Sequence, residues 1–391
     1  MFIDKISKEE KKEILEVARS IYDFAEIGSK EEKSSYLLAE KLSDHGFKID
    51  MPFQSMKTAF RATFGSGKPT VGLLAEYDAL PNGHSCGHNL ISAWAFGTAL
   101  LLSRHLKNGK IVVFGTPSEE GIGEYSGSKV TFSDNGVFSD VDFVIGMHPS
   151  DEWAAGSTSF CDISYLLKFH GRSTHAANSP ESGINALDAA VSAYVNINLM
   201  RDSIKVDKFP VIGMVFREGG TATNVVPDIA SIEVDLRSKS HVFIETMVKR
   251  MKRIAKASAD AFGAQVEIQA TSPLYLSYKN IKSINEIILD ALNEMGIKTR
   301  MVPPDEIPSG STDEGNVSRV VPTGHIDIKI TEPGTPGHSD EFRIAANPDR
   351  AGKNLINGII ASANACLKIM NEESVLKEIK KEFLSQNFLY P

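Results

Sequence analysis

The stretch TVGLLAEYDALPNGHSCGHNLISAWAFGTALLL, residues 70–102, contains a short apolar run, a loop rich in polar groups and a longer apolar run. The first run, TVGLLA, has the length of a buried strand. The loop gathers two acids, a tyrosine, two histidines and a cysteine within positions 76–91. The closing run, 90–102, is thirteen residues long, which suits a buried helix and is too short to span a bilayer.

The same alternation continues along the chain, with strands predicted at 70–75, 110–115 and 141–147. These strands are apolar along their whole length, which predicts a parallel sheet covered by helices on both faces. In such sheets, ligands bind beyond the carboxyl ends of the strands. Glu76 and Asp78 follow the first strand, the acids of TPSEEG follow the second, and His148 follows the third.

Between residues 157 and 271 the pattern changes to β-α-β-β-α-β, which predicts an inserted ferredoxin-like unit. The first pattern resumes with a helix at 280–295, a strand at 325–332 and a helix at 351–370. We therefore predict an α/β protein with a mixed, mostly parallel sheet flanked by helices. Its catalytic domain is discontinuous, residues 1–156 and 272–391, and the inserted domain spans 157–271.

Composition excludes several classes of partner. The 391 residues carry a formal net charge of −8, which argues against nucleic acid and anionic membranes. The charged, amphipathic N-terminal stretch lacks the apolar core of a signal peptide. Only three cysteines occur, at 86, 161 and 366, so we expect a reducing, cytoplasmic location without disulfides.

Cys86 and His88 lie one residue apart in HSCGH, so a thiolate and an imidazole can approach one ion while Gly87 relieves the turn. A buried cysteine beside a helix-capping histidine explains this short motif equally well. His84 is open in the same way, since it can orient a neighbouring ligand or merely cap the loop.

Further candidates follow other predicted strands. In SEEG, Glu119 and Glu120 can divide the roles of general base and metal ligand, although adjacent acids also suit a helix N-terminus. His148 and His338 each follow a strand and are expected at the same sheet edge. Mixed nitrogen, oxygen and sulfur donors favour zinc, with manganese or cobalt as alternatives. The candidate ligands are Cys86, His88, Glu120, His148 and His338, enough for two ions.

His175, in GRSTHAANSPESG of the inserted domain, is either a loop histidine without a role or a donor that stabilises an oxyanion. Several other histidines, including His325, have no partner at ligand spacing and are interpreted as structural.

Five motifs, AEYDALPNGHSCGHN, GTPSEEG, GMHP, GRSTHAANSPESGINALDA and GHSDEF, resemble in this order those of aminoacylase/carboxypeptidase-type metallopeptidases (clan MH). The similarity is to the amidohydrolase branch with hippurate and indole-acetyl-amino-acid hydrolases. GSTDEGNVS, residues 310–318, resembles p-aminobenzoyl-glutamate hydrolases and β-alanyl-lysine dipeptidase-like proteins.

The resemblance implies that the five candidate ligands bind metal and that Glu119 is the general base. It also implies that His175 is a lid histidine, Asn224 a lid residue that contacts substrate, and Asp78 the acid that orients a ligand. The inserted unit would act as a lid and often as the dimerisation domain, giving a homodimer or higher homo-oligomer. Glu76 and Asn89 depart from many relatives, which carry Asp at the first position and an acid at the second.

We therefore predict a metal-dependent amidohydrolase or peptidase in which Glu119 deprotonates a metal-activated water. Its substrate would be a small N-acyl or N-aminoacyl amino acid or a short peptide. Two other classes stay open at this point: a thiol amidase with Cys86 as nucleophile, and a non-catalytic binding protein that keeps the fold.

Overall fold

The structure is a computed structural model that describes residues 3–204 and 209–386, so the two N-terminal and five C-terminal residues of the predicted catalytic domain lie outside it. Its strands are β1 (Lys48–Asp50), β2 (Phe60–Ser66), β3 (Thr70–Ala75), β4 (Gly109–Gly115), β5 (Phe143–Ser150), β6 (Ala154–Ala155), β7 (Cys161–His170), β8 (Val211–Glu218), β9 (Ile229–Ser238), β10 (Gln265–Ala270), β11 (Arg300–Met301) and β12 (Thr323–Lys329).

The helices cover both faces of the main sheet and one face of the smaller sheet. They are α1 (Lys8–Phe24), α2 (Glu32–Asp44), α3 (His88–His105), α4 (Ser128–Asp134), α5 (Ala186–Asn198), α6 (His241–Ala261), α7 (Lys282–Glu294), α8 (Glu314–Val320), α9 (Asp340–Ala345), α10 (Pro348–Asn371) and α11 (Glu373–Ser385).

The chain divides into two compact units. Unit 1 contains the residues up to Thr158, Tyr278–Ile307 and the residues from Asp313 onward. Unit 2 contains Ser159–Ser277 and Pro308–Thr312. The domain boundaries proposed from the sequence, at 157 and 271, stay a prediction.

Unit 1 is built on an eight-stranded sheet in the order β1-β2-β4-β3-β5-β12-β6-β11. Among the described strands, four of the seven pairings are parallel: β3–β4, β3–β5, β5–β12 and β6–β11. Every residue of β3 is buried, as expected for a strand covered on both faces. Leu73 packs into the core beneath α1, α3 and α10, whereas its neighbour Leu74 packs into a second core with Phe132 of α4. Successive side chains of one strand therefore hold both helical layers.

Unit 2 is a four-stranded antiparallel sheet in the order β10-β7-β9-β8. Numbered within the unit, this is fourth, first, third, second, the order of the ferredoxin-like fold. Asn185 and Ser240 directly precede α5 and α6 as N-cap residues, and their side chains accept hydrogen bonds from the first-turn backbone. Both helices pack on one face of the sheet in a separate core. The predicted fold class is confirmed in both units.

One local expectation was wrong, and one part of the sheet was not predicted. His148 does not follow its strand but lies within β5, which continues to Ser150 because it pairs with β12 along its whole length. The two-stranded antiparallel edge formed by β1 and β2 was not predicted, since its exposed face interrupts the apolar pattern.

Candidate metal centre

The loop between β3 and α3 is held in a fixed shape that brings Cys86 and His88 together. Gly87 has φ +81° and directly precedes α3. A Cβ atom at this position would lie 2.8 Å from Cγ of Pro149. Both the left-handed backbone and the close approach therefore require glycine. The loop is anchored by His84, whose ring nitrogen Nε2 donates to the Ile21 carbonyl at 2.9 Å. Of the two interpretations open for His84, the structure thus shows an anchor on α1.

Asp78 fixes two neighbouring candidate groups at once. Its Oδ1 accepts from Nδ1 of His88 at 2.9 Å, and its Oδ2 accepts from the backbone N of Glu120 at 3.0 Å. Burial opposes ionisation of Asp78, but His88, the backbone N–H of Glu120 and the charge of Lys129 together outweigh it and lower the pKa of the carboxyl. With Nδ1 engaged, His88 presents Nε2 to the carboxyl edge of the sheet, the arrangement that orients histidine ligands in metal sites.

The SEEG loop is positioned by a buried acid from another part of unit 1. Ser118, directly before Glu119, adopts a left-handed conformation with φ 59°. Its backbone N donates to Oε1 of Glu31 at 2.9 Å, and Thr58 donates to the other oxygen of Glu31 at 3.1 Å. Burial, with a smaller contribution from the charge of Asp78, raises the pKa of Glu31 to about 7.

His148 and His338 approach from two further elements. The Nδ1 of His148 donates to the Pro149 carbonyl at 2.7 Å, which leaves Nε2 directed at Sγ of Cys86, 3.3 Å away. His338 has φ 63°, and its backbone N donates to the Ser85 carbonyl at 2.9 Å. Its Nε2 lies 3.5 Å from Oε2 of Glu120, and its side chain is 58% exposed. His338 is thus the exposed member of the set.

The predicted ligands form two groups that share one sulfur. In each group, the potential ligand atoms lie within 4.8 Å of one another. The groups are Cys86, His88 and His148, and Cys86, Glu120 and His338; a third group of this kind joins Glu76, His88 and Glu119.

The donor set fits a metal ion. Among the described residues, neither Nε2 of His88 nor Oε1 of Glu120 has a hydrogen-bond partner, although both atoms are buried. These two atoms lie 3.8 Å apart. Buried polar atoms are nearly always satisfied, so an unpaired nitrogen and oxygen beside a thiol indicate a cation site. Sulfur, imidazole and carboxylate together are the ligands that zinc prefers.

His175 and Asn224 belong to unit 2 and are neighbours there. The backbone N of Ala176 donates to the Asn224 carbonyl at 2.9 Å, and a β-bridge joins His175 to Val225. Both His175 and Asn224 are exposed.

The structure adds residues that sequence reasoning missed. Glu76 was noted as an acid after the first strand and as a departure from relatives but was given no role, yet its Oε2 lies 3.6 Å from Nε2 of His88. Lys129, fully buried, lies 2.9 Å from Oε1 of Glu76 and contacts Asp313. Among the sequence signals, only the STDEGN motif, which contains Asp313, was available, because α4 has the mixed polar and apolar sequence SKVTFSD.

His325, interpreted from the sequence as a structural histidine without a partner at ligand spacing, has a partner in the structure. It is buried, and its Nδ1 lies 3.0 Å from Oε1 of Glu314. Burial opposes the charged ring, but Glu314 and Asp327 raise the pKa of His325 to about 10. Spacing along the chain could not reveal this pair, because a helix and a strand bring the two residues together.

Comparisons with known proteins agree with this chemistry. Residues 162–262 match a family described as peptidase dimerisation domain. The Xaa-Arg dipeptidase of Mus musculus is 33% identical over 353 residues, covering 85% of this chain and 79% of that protein. One of the polypeptides of p-aminobenzoyl-glutamate hydrolase from Escherichia coli K12 is 30% identical over 321 residues, covering 75% of this chain and 65% of that protein.

A solved structure supports the same fold. The YXEP protein of Bacillus subtilis, described as a dinuclear metal-binding peptidase of the M20 family, superposes with a TM-score of 0.68 at 19% identity. The match covers 93% of this chain and 99% of that chain.

Fold and donor set together define the class, a metal-dependent hydrolase of peptide or amide bonds. The relationship to the dipeptidase, 33% identity over 79% of its length, makes the assignment more specific. The chain belongs to the M20 family of peptidases and amidohydrolases. The predictions of the family, the enzyme class and a metal cofactor are thereby confirmed. None of the helices in the described ranges combines the length and apolarity needed to cross a membrane.

Proposed function

We propose that the protein is a zinc-dependent dipeptidase-like amidohydrolase that cleaves small N-acyl or N-aminoacyl amino acids or short peptides. The observation that carries this proposal is the sharing of Cys86 by two donor groups, with the Glu119 carboxylate beside them. The five proposed ligands would be enough to hold two ions, as in two-metal hydrolases. The names of two relatives, Xaa-Arg dipeptidase and p-aminobenzoyl-glutamate hydrolase, support amides of amino acids as substrates.

The proposed ligands are Cys86, His88, Glu120, His148 and His338. The bound metal would supply Lewis-acid chemistry, which makes water nucleophilic and polarises the scissile carbonyl. Glu119 would take the proton of the attacking water and hand it to the departing amine. Burial and the charge of Glu76 raise the pKa of Glu119, and a neighbouring cation would keep its carboxylate ionised, as a proton acceptor requires.

Unit 2 would supply substrate contacts and the dimer surface. We keep His175 as the proposed oxyanion donor and Asn224 as the proposed substrate contact. Among the described strands, β8 forms one edge of the unit 2 sheet, and Phe216 on this strand is 39% exposed. Val195 of α5 and Leu199, which directly follows this helix, are about half exposed, at 50% and 52%. An apolar helix face and an open strand edge in one unit support pairing with a second copy.

The contact between Cys86 and His148 also permits a thiol amidase, the second candidate function. Burial, followed by the charge of Glu120, raises the pKa of the Cys86 thiol, which is the opposite of what a thiolate nucleophile requires. We therefore favour ligation. The cytoplasmic location inferred from the sparse cysteines stays a prediction.

The proposal is tested with Glu119→Gln and a panel of N-acyl amino acids, dipeptides and p-aminobenzoyl-glutamate. We expect turnover to fall by about three orders of magnitude, because the proton acceptor is lost, while metal content is unchanged. Loss of zinc from this variant, measured by elemental analysis, would mean that the roles of base and ligand are misassigned. A zinc-loaded wild type that cleaves nothing in the panel would contradict the proposed function itself.

A further inference from the structure

Three buried charged residues, Glu76, Lys129 and Asp313, contact one another in series next to the candidate metal centre, and we call them the charge series. Lys129 of α4 is fully buried, and its Nζ lies 2.9 Å from Oε1 of Glu76. The same Nζ contacts Oδ1 of Asp313, while the Lys129 backbone N donates to Oδ2 of Asp313 at 3.1 Å. Asp313 therefore holds the lysine at both its backbone and its ammonium group.

Such a lysine is uncommon, because a buried ammonium is costly unless carboxylates compensate it. Here two carboxylates do so, and both are themselves almost completely buried, Asp313 at 0% and Glu76 at 4% exposure. Water therefore cannot take the place of any charged partner in this series. The position of each group is thus set by the other two.

Glu76, at one end of the charge series, faces the candidate catalytic groups. Oε1 of Glu76 is occupied by Lys129, and Oε2 lies 3.6 Å from Nε2 of His88. That same histidine nitrogen lies 3.7 Å from Oε2 of Glu119. Rotation of the Glu76 carboxylate would consequently alter the surroundings of both the candidate ligand and the candidate base.

We infer that Lys129, fixed by Asp313, is a positioning residue that acts through Glu76. Its ammonium holds one carboxylate oxygen of Glu76 and so directs the other toward His88 and Glu119. Asp313 of the STDEGN segment, residues 311–316, thereby has a role, although no residue of this segment is a proposed metal ligand. The inference rests on the proposed function for its kinetic test but has a separate spectroscopic one.

The kinetic test is a double-mutant cycle of Lys129→Met and Glu76→Gln. Each single change is expected to lower kcat about a hundredfold with KM changed less than about threefold, because misplaced groups impair the chemical step. The double variant should be no slower than either single variant, since both changes remove the same interaction. Losses that multiply to about 10⁴-fold, or a Lys129→Met variant with wild-type kcat, would overturn the inference.

A purely structural role is separated by Lys129→Met combined with Asp313→Asn. Removing one anion with the cation should restore much of the melting temperature lost in Lys129→Met, while kcat stays low. Recovery of kcat together with the melting temperature would show that Lys129 only neutralises Asp313. The same double variant serves if Lys129→Met alone does not fold.

A remote ion pair supplies the control, and cobalt supplies a probe of the metal site. Arg61 of β2 and Asp140, which precedes β5, form an ion pair of 2.7 Å and belong to none of the donor groups, so Arg61→Met with Asp140→Asn should leave kcat unchanged. Cobalt(II) added to the metal-free protein should give a visible spectrum that Lys129→Met alters and the control does not. Identical spectra would count against positioning even if the wild type proved inactive on the whole substrate panel, which would be a failure of the proposed function alone.

Discussion

The candidate functional groups at the carboxyl edge of the unit 1 sheet and those on the surface of unit 2 differ in how far they are exposed to solvent. At the sheet edge, every candidate group except His338 is largely buried, and His88 and Asp78 form a fully enclosed pair. In unit 2, the candidate groups His175 and Asn224 are exposed, and so is the apolar side chain of Phe216.

This contrast distinguishes side chains that find their interaction partners within their own unit from side chains that are open to a further partner. A buried charge must find its partner inside its own unit, because water cannot serve it. An exposed apolar face has no such requirement and is stabilised only when another surface covers it. We therefore expect changes at the sheet edge to act on metal binding and chemistry, and changes on unit 2 to act on assembly.

The largest effect is expected from Cys86→Ala, because Cys86 belongs to both donor groups. Activity should fall by about 10³-fold or more, and the zinc content of the purified protein should decrease. Cys366→Ala, at a buried cysteine of α10, is the matched control and should retain zinc and turnover. If the Cys86 variant kept its metal but lost activity, the thiol amidase would regain support.

A smaller effect is expected from Asp78→Asn, which weakens the hydrogen bond that orients His88. Partners of ligating histidines contribute about ten- to a hundredfold to metal affinity, so competition with a chromophoric chelator should show a loss of that size. Asp140→Asn, at the other end of the strands, supplies the comparison. Equal metal affinity in the wild type and Asp78→Asn would refute the orienting role of Asp78.

On unit 2, Val195→Glu should raise the dissociation constant of the dimer by about tenfold or more, because it buries a charge in an apolar contact. Val242 of α6 is equally exposed, 51% against 50%, so Val242→Glu is a control of the same chemistry on the other helix. Sedimentation velocity would measure both. A monomeric wild type, or identical behaviour of the two variants, would argue against the α5 face.

The smallest effect on activity, less than about threefold, is expected from Glu31→Gln, whose signature is in stability. The pKa of Glu31 is raised in the folded protein from 4.5 to about 7. Its contribution to stability is therefore fully present below pH 4.5 and is lost as pH rises through 7, by at most about 3 kcal/mol. The melting temperature of Glu31→Gln relative to wild type should increase from pH 5 to pH 8. A constant difference across this range would contradict the shifted pKa.

Much of the fold was predictable because strands buried on both faces leave continuous apolar runs. The strand at 70–75 was placed to the residue, and the β-α-β-β-α-β order of the inserted unit was correct. The expected grouping of Cys86 with the distant residues Glu120, His148 and His338 also followed from one rule, that parallel strands end at a common edge. Asn224 could be named only by resemblance, whereas His175 was also a candidate from its own loop, and the roles of both stay predictions.

What could not be predicted depends on pairs formed between distant elements. Nothing in the local sequence connects Lys129 with Asp313, which are 184 positions apart. The same holds for Glu31, whose contact with Ser118 spans 87 positions. Periodicity reports whether a side chain faces a core but not which partner compensates its charge.

The insertion of unit 2 between β6 and α7 also affects synthesis on the ribosome. Strand β5 pairs with β12, yet residues 151–322 must be made before β12 emerges. At 5–20 residues per second this delay is on the order of tens of seconds, during which the nascent sheet has an open edge at β5. The inserted unit can fold during that interval. The N-terminal part of unit 1 cannot complete its sheet until β12 is made, and the predicted metal site is complete only after His338, the final predicted ligand along the chain.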